Sequence, residues 1–323
     1  MNMGEAPKDI DPRSLDLAVG GQAVIEGVMM RCPTAIATAV RTPGGKIVIQ
    51  CKAYRGFAVR AKLHRVALLR GAVNLVESMA LGMRALTFSA EQALEEEDVG
   101  DRQTSLKDKL LLGLTLVFAF ALSLALFFYL PLLLTEWTGA NSGFMFNVVD
   151  GFFRLAVFLA YILLISRLKD MRTLFQYHGA EHKTIHTFEN GLELTAENAQ
   201  GFTTLHPRCG TSFLMFVMLT SIFVFMLLGK PDTIGDRLLR LSFVPLIGGI
   251  AYEIIRFSGK HAGAKWIQPF IWPGLMLQRI TTQEPTLEQL EVAVRALRAV
   301  LEASAAEAAE RHYREIVDGA LPA

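Results

Sequence analysis

Four long apolar runs divide the chain, and each is long enough to cross a lipid bilayer as a helix. The runs occupy residues 110–134, 148–166, 211–229 and 238–257. About 20 apolar residues in a helix span the roughly 30 Å of bilayer hydrocarbon. The first run contains no charged side chain. The pattern therefore predicts a mainly α, polytopic membrane protein with about four transmembrane helices.

Two of these runs contain charged or helix-breaking residues. Asp150 and Arg154 lie near one end of the second run, spaced so that their side chains can pair on one helix face. The fourth run is interrupted by Pro245 and two glycines, and it carries Glu253. Broken helices occur in membranes where protein or a polar cavity supplies partners for the freed backbone groups. We therefore expect Glu253, an ionisable residue inside a span, to be functional.

Positive charge is distributed unevenly among the segments that connect the runs. The segment before the first run is rich in Lys and Arg, whereas the loop at 135–147 contains neither. The loop at 167–210 contains Arg167, Lys169, Arg172, Lys183 and Arg208. Cytoplasmic loops carry the excess of Lys and Arg in membrane proteins. The distribution therefore predicts that both termini and the loop at 167–210 are cytoplasmic.

The segments outside the runs have patterns of their own. Residues 36–54 are predicted to form a β-hairpin, because β-branched segments flank a Thr-Pro-Gly-Gly turn. Residues 62–97 have helical apolar spacing, and they either lie along the membrane surface or pack on the hairpin. Residues 266–280 are too short and Pro-rich to cross a bilayer, so we expect an interfacial or re-entrant segment there.

The C-terminal segment is predicted to be a soluble amphipathic helix. Thr286 and Gln289 have the spacing of a capping box at its start. An apolar stripe follows, formed by Leu287, Leu290, Val294, Leu297 and Leu301. Such a stripe needs a packing partner, most simply the cytoplasmic domain of the same chain.

These elements divide the chain into seven segments. In order, they are a disordered N-terminus (1–16), a cytoplasmic α+β domain (17–104), a first transmembrane hairpin (105–168), a cytoplasmic His-rich loop and helix (169–210), a second transmembrane hairpin (211–258), an interfacial or re-entrant segment (259–283) and a cytoplasmic C-terminal helix (284–323).

The amino-acid composition limits the kinds of molecule that the protein is expected to bind. Hydrophobic residues make up 52% of the 323 residues and the net charge is only +1, so no strong field attracts nucleic acid. The three cysteines are too few and too scattered for a disulfide framework. The polar N-terminus lacks the apolar stretch of a signal peptide, so the later spans are expected to direct insertion. The expected partners are the lipid bilayer and, as a further option, another membrane protein.

A predicted helix at residues 171–190, ended by an Asn-Gly stop, presents one polar face. This face carries His178, His182, His186 and Glu189, with Glu181 to one side. The segment from His178 to His182 fits the H-x-x-E-H motif of inverted zinc proteases. In that motif the two histidines hold the metal and the glutamate is the general base. His182 and His186 have the same spacing, so the ligand pair stays open.

A second group of possible ligands follows on the same predicted side of the membrane. His206 and Cys209 form an H-x-x-C pair. Imidazole with thiolate suits zinc or iron(II) better than magnesium, so we expect a divalent metal, with zinc favoured. The full set of candidate ligands is His178, His182, His186, His206, Cys209 and Glu253. The alternative is that these side chains are only solvated or hydrogen-bonded to one another.

Residues 19–33 surround one acidic residue, Glu26, with three glycines. No lysine follows at the spacing of a phosphate-binding loop, so nucleotide binding is a poor interpretation. One interpretation is a tight connection between strands that needs glycine. The other is that this backbone approaches the metal site, with Glu26 as a ligand or as a catalytic base beside Glu181.

Three segments resemble the hallmark segments of the YqhQ-like family of bacterial membrane proteins. They are GGQAVIEGVMMR, YHGAEHKTIHTFENG and HPRCGTSF. The family is a domain of unknown function described as predicted metal-dependent enzymes. The resemblance covers residues 17–300 and implies a bacterial inner-membrane protein with a metal site. The matched residues are Glu26, His178, Glu181, His182, His186, His206 and Cys209.

Three hypotheses of function follow. The first is a metal-dependent hydrolase at the cytoplasmic membrane surface, acting on a peptide, a lipid or another membrane-proximal substrate. The second is a non-catalytic membrane scaffold, such as an accessory to protein insertion, whose metal is structural. Three protein ligands with an open position favour catalysis, whereas four ligands favour a structural metal. An ion carrier that uses Asp150, Arg154 and Glu253 is a third option.

Overall fold

The computed structural model describes residues 19–57, 67–93, 106–140, 142–261 and 264–319. The N-terminus predicted to be disordered, residues 1–16, lies outside the described residues, as do both ends of the helix predicted at 62–97. The described residues form many helices and one small antiparallel sheet. The predicted mainly α class is therefore confirmed.

The sheet has four strands in the order β1-β2-β3-β4, all antiparallel. They are β1 Gly20–Val24, β2 Gly27–Arg31, β3 Ala35–Arg41 and β4 Ile47–Ala53. The hairpin predicted at 36–54 is confirmed as β3 and β4, with Thr38 opposite Gln50. A second hairpin, β1 and β2, turns at Glu26, whose φ of 49° is in the left-handed region. The sequence did not predict this hairpin, because its short glycine-rich strands lack the alternation of apolar and polar residues that indicates a strand.

The helices follow in sequence order. They are α1 Ala67–Ala93, α2 Leu106–Leu124, α3 Leu130–Trp137, α4 Gly143–Ile165, α5 Lys169–Glu189, α6 Ala196–Gln200, α7 Gly210–Leu228, α8 Ile234–Ser242, α9 Val244–Lys260, α10 Gln268–Thr281 and α11 Leu287–Gly319. A π-helical segment, Ala125–Tyr129, joins α2 to α3, and a short 3₁₀ turn, Lys265–Ile267, precedes α10.

Among the residues that the structure describes, four helical segments are long and apolar enough to cross a membrane. They are Gly113–Trp137, Gly143–Ile165, Gly210–Leu228 and Ile234–Gly259. All four coincide with the apolar runs of the sequence, so the chain is a polytopic membrane protein. The last span consists of α8 and α9, which meet at Phe243 just before Pro245, where the sequence predicted an interruption.

A separate core joins the sheet to helices far away in sequence. Strands β2 and β3 pack against α11, β2 also packs against α5, and α6 packs against α5 and α11. The shared core includes Val28, Ala37, Ala180, Ala293 and Leu297. The apolar stripe of α11 therefore packs against other elements of the same chain, as predicted. Four of its five leucine and valine side chains are buried, and only Leu287 is exposed.

Helix α1 packs on the sheet and on the last span. Ala85 of α1 joins Val24, Met29 and Val40 in a second small core, which confirms that this helix packs on the sheet. At its other end, Gly71 lies against the backbone of Gly249 in α9. The segment predicted to be interfacial or re-entrant contains helix α10, which packs along α7. Its interfacial or re-entrant position in the bilayer stays a prediction.

Removing the capping box of α11 is expected to destabilise the protein by about 1 kcal/mol. Thr286 Oγ1 accepts a hydrogen bond from the Gln289 amide at 3.3 Å, and the Gln289 side chain accepts one from the Thr286 amide at 2.9 Å. Thr286→Ala removes the first of these, which thermal unfolding in detergent would measure. Thr87→Ala on the exposed face of α1 is the control, and an equal effect of both changes would contradict the prediction.

Candidate metal centre

Helix α5 carries the histidines predicted from the sequence, with nearly the predicted bounds. It begins after Leu168, and Gly191, with a φ of 68°, follows its C-cap. His178, Glu181 and His182 face the interior, and the His182 side chain is only 1% exposed. Polar side chains this deeply buried need partners, so their contacts show what this face of the helix does.

The loop before α7 folds back along α5 and brings the downstream ligands to this face. The Gln278 side chain holds the loop in place, because it accepts from the amide of His206 and donates to its carbonyl, both at 2.8 Å. Cys209 is the N-cap of α7, and its Sγ accepts from the Thr211 amide at 3.3 Å. The thiol is therefore held at the end of a candidate membrane span.

His178, His182 and Cys209 form a compact group, which we call the first triad. One ligand atom from each residue lies within 4.8 Å of the other two. His178 Nε2 is 3.1 Å from Cys209 Sγ, and the two imidazole ring centres are 4.5 Å apart. Of the two histidine pairs that the sequence left open, this group uses His178 with His182.

Backbone carbonyls orient both histidines of the first triad. His178 Nδ1 donates to the carbonyl of Thr281 at 2.8 Å, and His182 Nδ1 donates to the carbonyl of Thr204. A carbonyl oxygen can only accept, so each Nδ1 carries the proton and each Nε2 keeps its lone pair. Metal-binding histidines are usually held in this way.

The first triad also contains a buried atom that lacks a hydrogen bond. Within the part of the chain that the structure describes, His182 Nε2 has no hydrogen-bond partner. A buried nitrogen lone pair without a donor is costly, and a metal ion would satisfy it. Two imidazole nitrogens and a thiolate suit zinc or iron(II). The residues of this group therefore fit the divalent metal expected from the sequence.

The ionisation of the first triad favours metal binding as well. Burial lowers the pKa of His182, which keeps the imidazole neutral. Burial alone would raise the pKa of the Cys209 thiol, but attraction to a protonated His182 and hydrogen bonds from Thr211 outweigh it and lower the pKa. When His182 is neutral, the Thr211 hydrogen bonds still favour the thiolate, and a bound metal would supply the missing positive charge. Neutral imidazole and thiolate are the forms that bind metals.

His186, Glu189 and His206 form a second triad beside the first, and its contacts are different. Their ligand atoms also lie within 4.8 Å of one another. However, the amide of Arg208 donates to His206 Nδ1 at 3.3 Å, so the proton lies on Nε2, which is 3.4 Å from Glu189. Glu189 also pairs with the Arg208 side chain. These contacts account for the closeness of the three side chains: the second triad is a network of hydrogen bonds and ion pairs.

Glu181 lies beside the first triad and is held by the sheet. Its carboxylate accepts a hydrogen bond from the Gly21 amide, and burial raises its pKa to about 7. A Cβ at residue 21 would lie 3.0 Å from the Glu181 carboxyl carbon and 2.7 Å from the Met29 carbonyl. Only glycine permits this approach, so the glycine-rich segment does reach the His-rich helix.

The structure does not bring Glu26 or Glu253 into either triad. Glu26 is exposed in the turn between β1 and β2, and its carboxylate accepts from the Tyr177 hydroxyl at 3.2 Å. Glu253 faces α1, where it forms an ion pair with Arg70. The partner of Glu253 is thus Arg70 on α1 and not one of the candidate ligands with which the sequence grouped it.

Three groups that orient the site were missed by sequence reasoning. They are the carbonyls of Thr204 and Thr281 and the amide of Gly21. Each is a backbone group that every residue type possesses, so no residue pattern marks it. The pair Gly20-Gly21 is the one signal that pointed to a close backbone approach.

Comparison with known proteins assigns the family. A family model described as "Protein of unknown function (DUF1385)" matches residues 66–303. The chain belongs to this family. It is 33% identical over 298 residues to the "Uncharacterized protein YqhQ" of Bacillus subtilis (strain 168), an alignment that covers 88% of this chain and 92% of the relative. No solved structure matches the chain. The resemblance seen in the three sequence segments is therefore confirmed.

Proposed function

We propose that this protein is a metal-dependent membrane hydrolase. His178, His182 and Cys209 would hold a divalent metal, with zinc favoured, and Glu181 would be the general base. The observation that carries the proposal is the buried Nε2 of His182, which lacks a partner among the described residues while its Nδ1 is anchored on Thr204. Such a nitrogen is oriented for a ligand that a protein side chain does not supply.

The number of ligands supports catalysis over a purely structural metal. The first triad supplies three protein ligands, and catalytic zinc sites keep a fourth position open. A bound metal would supply a Lewis acid that polarises the carbonyl or phosphoryl group of a substrate. Glu181 would accept the proton of the attacking water, and the Gly21 amide would keep its carboxylate in position.

The placement of the triad supports a substrate at the membrane surface. Cys209 immediately precedes the third candidate span, Gly210–Leu228, so its thiol lies at one end of a span. With the loop charges of the sequence, this end would be cytoplasmic, both termini would be cytoplasmic, and the membrane would be the bacterial inner membrane. A peptide or lipid close to the bilayer surface is the proposed class of substrate.

A structural metal is the second candidate, and one observation favours it. Through its ligands and their carbonyl partners, the first triad connects α5, the loop before α7 and the end of α10. A metal that only fastened these segments would suit a scaffold for another membrane protein. That candidate requires a fourth protein ligand, because structural zinc sites are closed.

X-ray absorption of the zinc-loaded protein is expected to separate the two candidates. The hydrolase predicts one sulfur at about 2.3 Å, two imidazoles and one oxygen from solvent. Glu181→Gln is expected to keep the metal and this spectrum but to lose hydrolysis of fluorogenic peptide and phospholipid probes. Four protein ligands in the spectrum, together with no hydrolysis by wild type, would instead support the scaffold. Full hydrolysis by Glu181→Gln would overturn the assignment of Glu181 as the general base.

A further inference from the structure

A second group of buried charged residues lies inside the membrane-spanning part, apart from the metal centre. Asp150 and Arg154 are on α4 and Arg240 is on α8, with exposed fractions of 1%, 5% and 1%. The pair that the sequence predicted is confirmed, because Arg154 Nε donates to Asp150 Oδ2 at 2.7 Å. Arg240 is the residue that the sequence did not connect with this pair. We call these three residues the intramembrane cluster.

Neighbouring groups satisfy part of each guanidinium. Arg154 Nη1 donates to the carbonyl of Phe127 at 3.2 Å, within the π-helical segment. Arg240 Nη2 donates to the Asn147 side chain at 2.7 Å and also to the carbonyl of Gly229. Both guanidinium carbons lie 5.1 Å from the centre of the Phe225 ring. The cluster is therefore a positioned set of side chains whose contacts involve all four candidate spans.

The charges of the intramembrane cluster do not balance. Two guanidinium groups face one carboxylate, so the cluster has a net charge of +1. Asp236, one turn before Arg240, attracts Arg240, but it lies in the exposed capping box with Thr233 at the start of α8, where solvent screens its charge. Arg237, on the same helix, pairs with Glu136 at 2.7 Å. An excess charge in a region of low dielectric constant is costly unless an anion compensates it.

Three atoms of the cluster also lack hydrogen bonds. Among the described residues, Asp150 Oδ1, Arg154 Nη2 and Arg240 Nη1 are buried without a hydrogen-bond partner. Arg240 Nη1 lies 3.8 Å from Asp150 Oδ2, which is too far for a hydrogen bond. Two groups that can donate and one that can accept are thus left within the same cluster. A ligand that satisfies all three must offer both an acceptor and a donor.

We propose that the intramembrane cluster binds an oxyanion that also carries a hydroxyl group. The anionic oxygens accept from Arg154 Nη2 and Arg240 Nη1 and neutralise the excess charge. The hydroxyl donates to Asp150 Oδ1. Inorganic phosphate and the headgroup of phosphatidylglycerol both have this chemistry, whereas chloride has no hydroxyl to donate.

The depth of the cluster suits a phosphate group. Asp150 is seven residues from the start of α4 and Arg240 is six from the start of α8, or about 10 Å along each helix. With hydrocarbon roughly 30 Å thick, that depth lies in the outer third of the layer, on the side nearest one headgroup region. Guanidinium pairs with phosphate oxygens are among the stronger hydrogen-bonded pairs in proteins.

The test uses the full-length protein in nanodiscs and follows its thermal unfolding together with native mass spectrometry. Discs of phosphatidylcholine alone receive inorganic phosphate or chloride, and a second set contains phosphatidylglycerol. Wild type is expected to gain thermal stability with phosphate or with phosphatidylglycerol, but not with chloride. Arg240→Gln is expected to weaken this binding at least about tenfold, because a charged hydrogen bond is lost. Arg237→Gln, one turn earlier, is the control and is expected to bind as wild type.

The pattern of responses identifies the source of the anion. A response to phosphatidylglycerol alone assigns the site to a lipid headgroup, and a response to free phosphate assigns it to the soluble ion. The proposal is overturned if neither stabilises wild type, or if both arginine variants bind equally well. Should Arg240→Gln fail to fold, Asp150→Asn is the second variant. It raises the cluster's net charge, so it is expected to retain or strengthen phosphate binding, and loss of binding would overturn the proposal.

Discussion

Replacing His182 with alanine is expected to remove the metal from the protein. Wild type purified without chelators is expected to contain one equivalent of zinc or iron, measured by elemental analysis. His182→Ala deletes the nitrogen that has no other partner among the described residues, so its metal affinity is expected to fall at least about 100-fold. Two ligands, His178 and Cys209, would remain, which is too few to retain the ion through purification.

His186→Ala is the matched control for this experiment. His186 lies one helical turn after His182, and its Nε2 is hydrogen-bonded to the carbonyl of Leu205 at 2.9 Å. It belongs to the second triad, whose contacts are those of an ion-pair network, so the variant is expected to keep its metal. Wild type without stoichiometric metal would refute the metal centre. Equal loss in both variants would show instead that the two triads bind as one site.

Gly179→Ala is expected to destabilise the protein and weaken metal binding together. A Cβ at residue 179 would lie 2.1 Å from the carbonyl oxygen of Gln283. The segment that contains Gln283 would have to move, although its amide now donates to the carbonyl of Phe175 at 2.9 Å. The same segment supplies the Thr281 carbonyl that orients His178. We expect a loss of at least about 2 kcal/mol of unfolding free energy, from overpacking of backbone against backbone.

Thermal unfolding and zinc titration of the purified variant would measure both effects. Gly201→Ala is the control, because a Cβ there would approach only the Asn198 carbonyl at 3.7 Å, and the φ of −69° suits alanine. That change is expected to stay within about 0.5 kcal/mol of wild type. If Gly179→Ala also stays within that range, the close packing of α5 on this segment is wrong.

The membrane spans and the His-rich helix could be predicted because each depends on a local pattern. Bilayer thickness sets the length of an apolar helix, so the four runs marked the four spans. Helix α5 had a clear stop signal at Asn190 and Gly191, and its predicted bounds differ from the observed ones by only a few residues. The Asp150–Arg154 ion pair could also be predicted, because two residues four positions apart on one helix lie close enough for their side chains to pair.

Which candidate ligands come together could not be predicted in the same way. His178, His182 and His186 are equally spaced on one face, and spacing alone cannot tell which of them bind a metal. The carbonyl of Thr204 accepts a hydrogen bond from Nδ1 of His182, whereas the carbonyl of Leu205 accepts one from Nε2 of His186. The nitrogen left available is therefore Nε2 in His182 and Nδ1 in His186. The sequence grouped Glu253 with the candidate ligands because of its place at the end of a span. Its ion pair with Arg70 could not be predicted, because it depends on how α1 packs against α9.

By itself, the sequence determined the class of this protein, the number and positions of its spans, the hairpin at 36–54 and the helix that carries the candidate ligands. These features follow from hydrophobic periodicity and turn chemistry, which act over a few neighbouring residues. Only the tertiary structure decided which ligands meet, that Gly21 contacts Glu181, and that Arg240 joins Asp150 inside the membrane. Those contacts join residues far apart in sequence, and packing and backbone hydrogen bonds produce them without a local sequence signal.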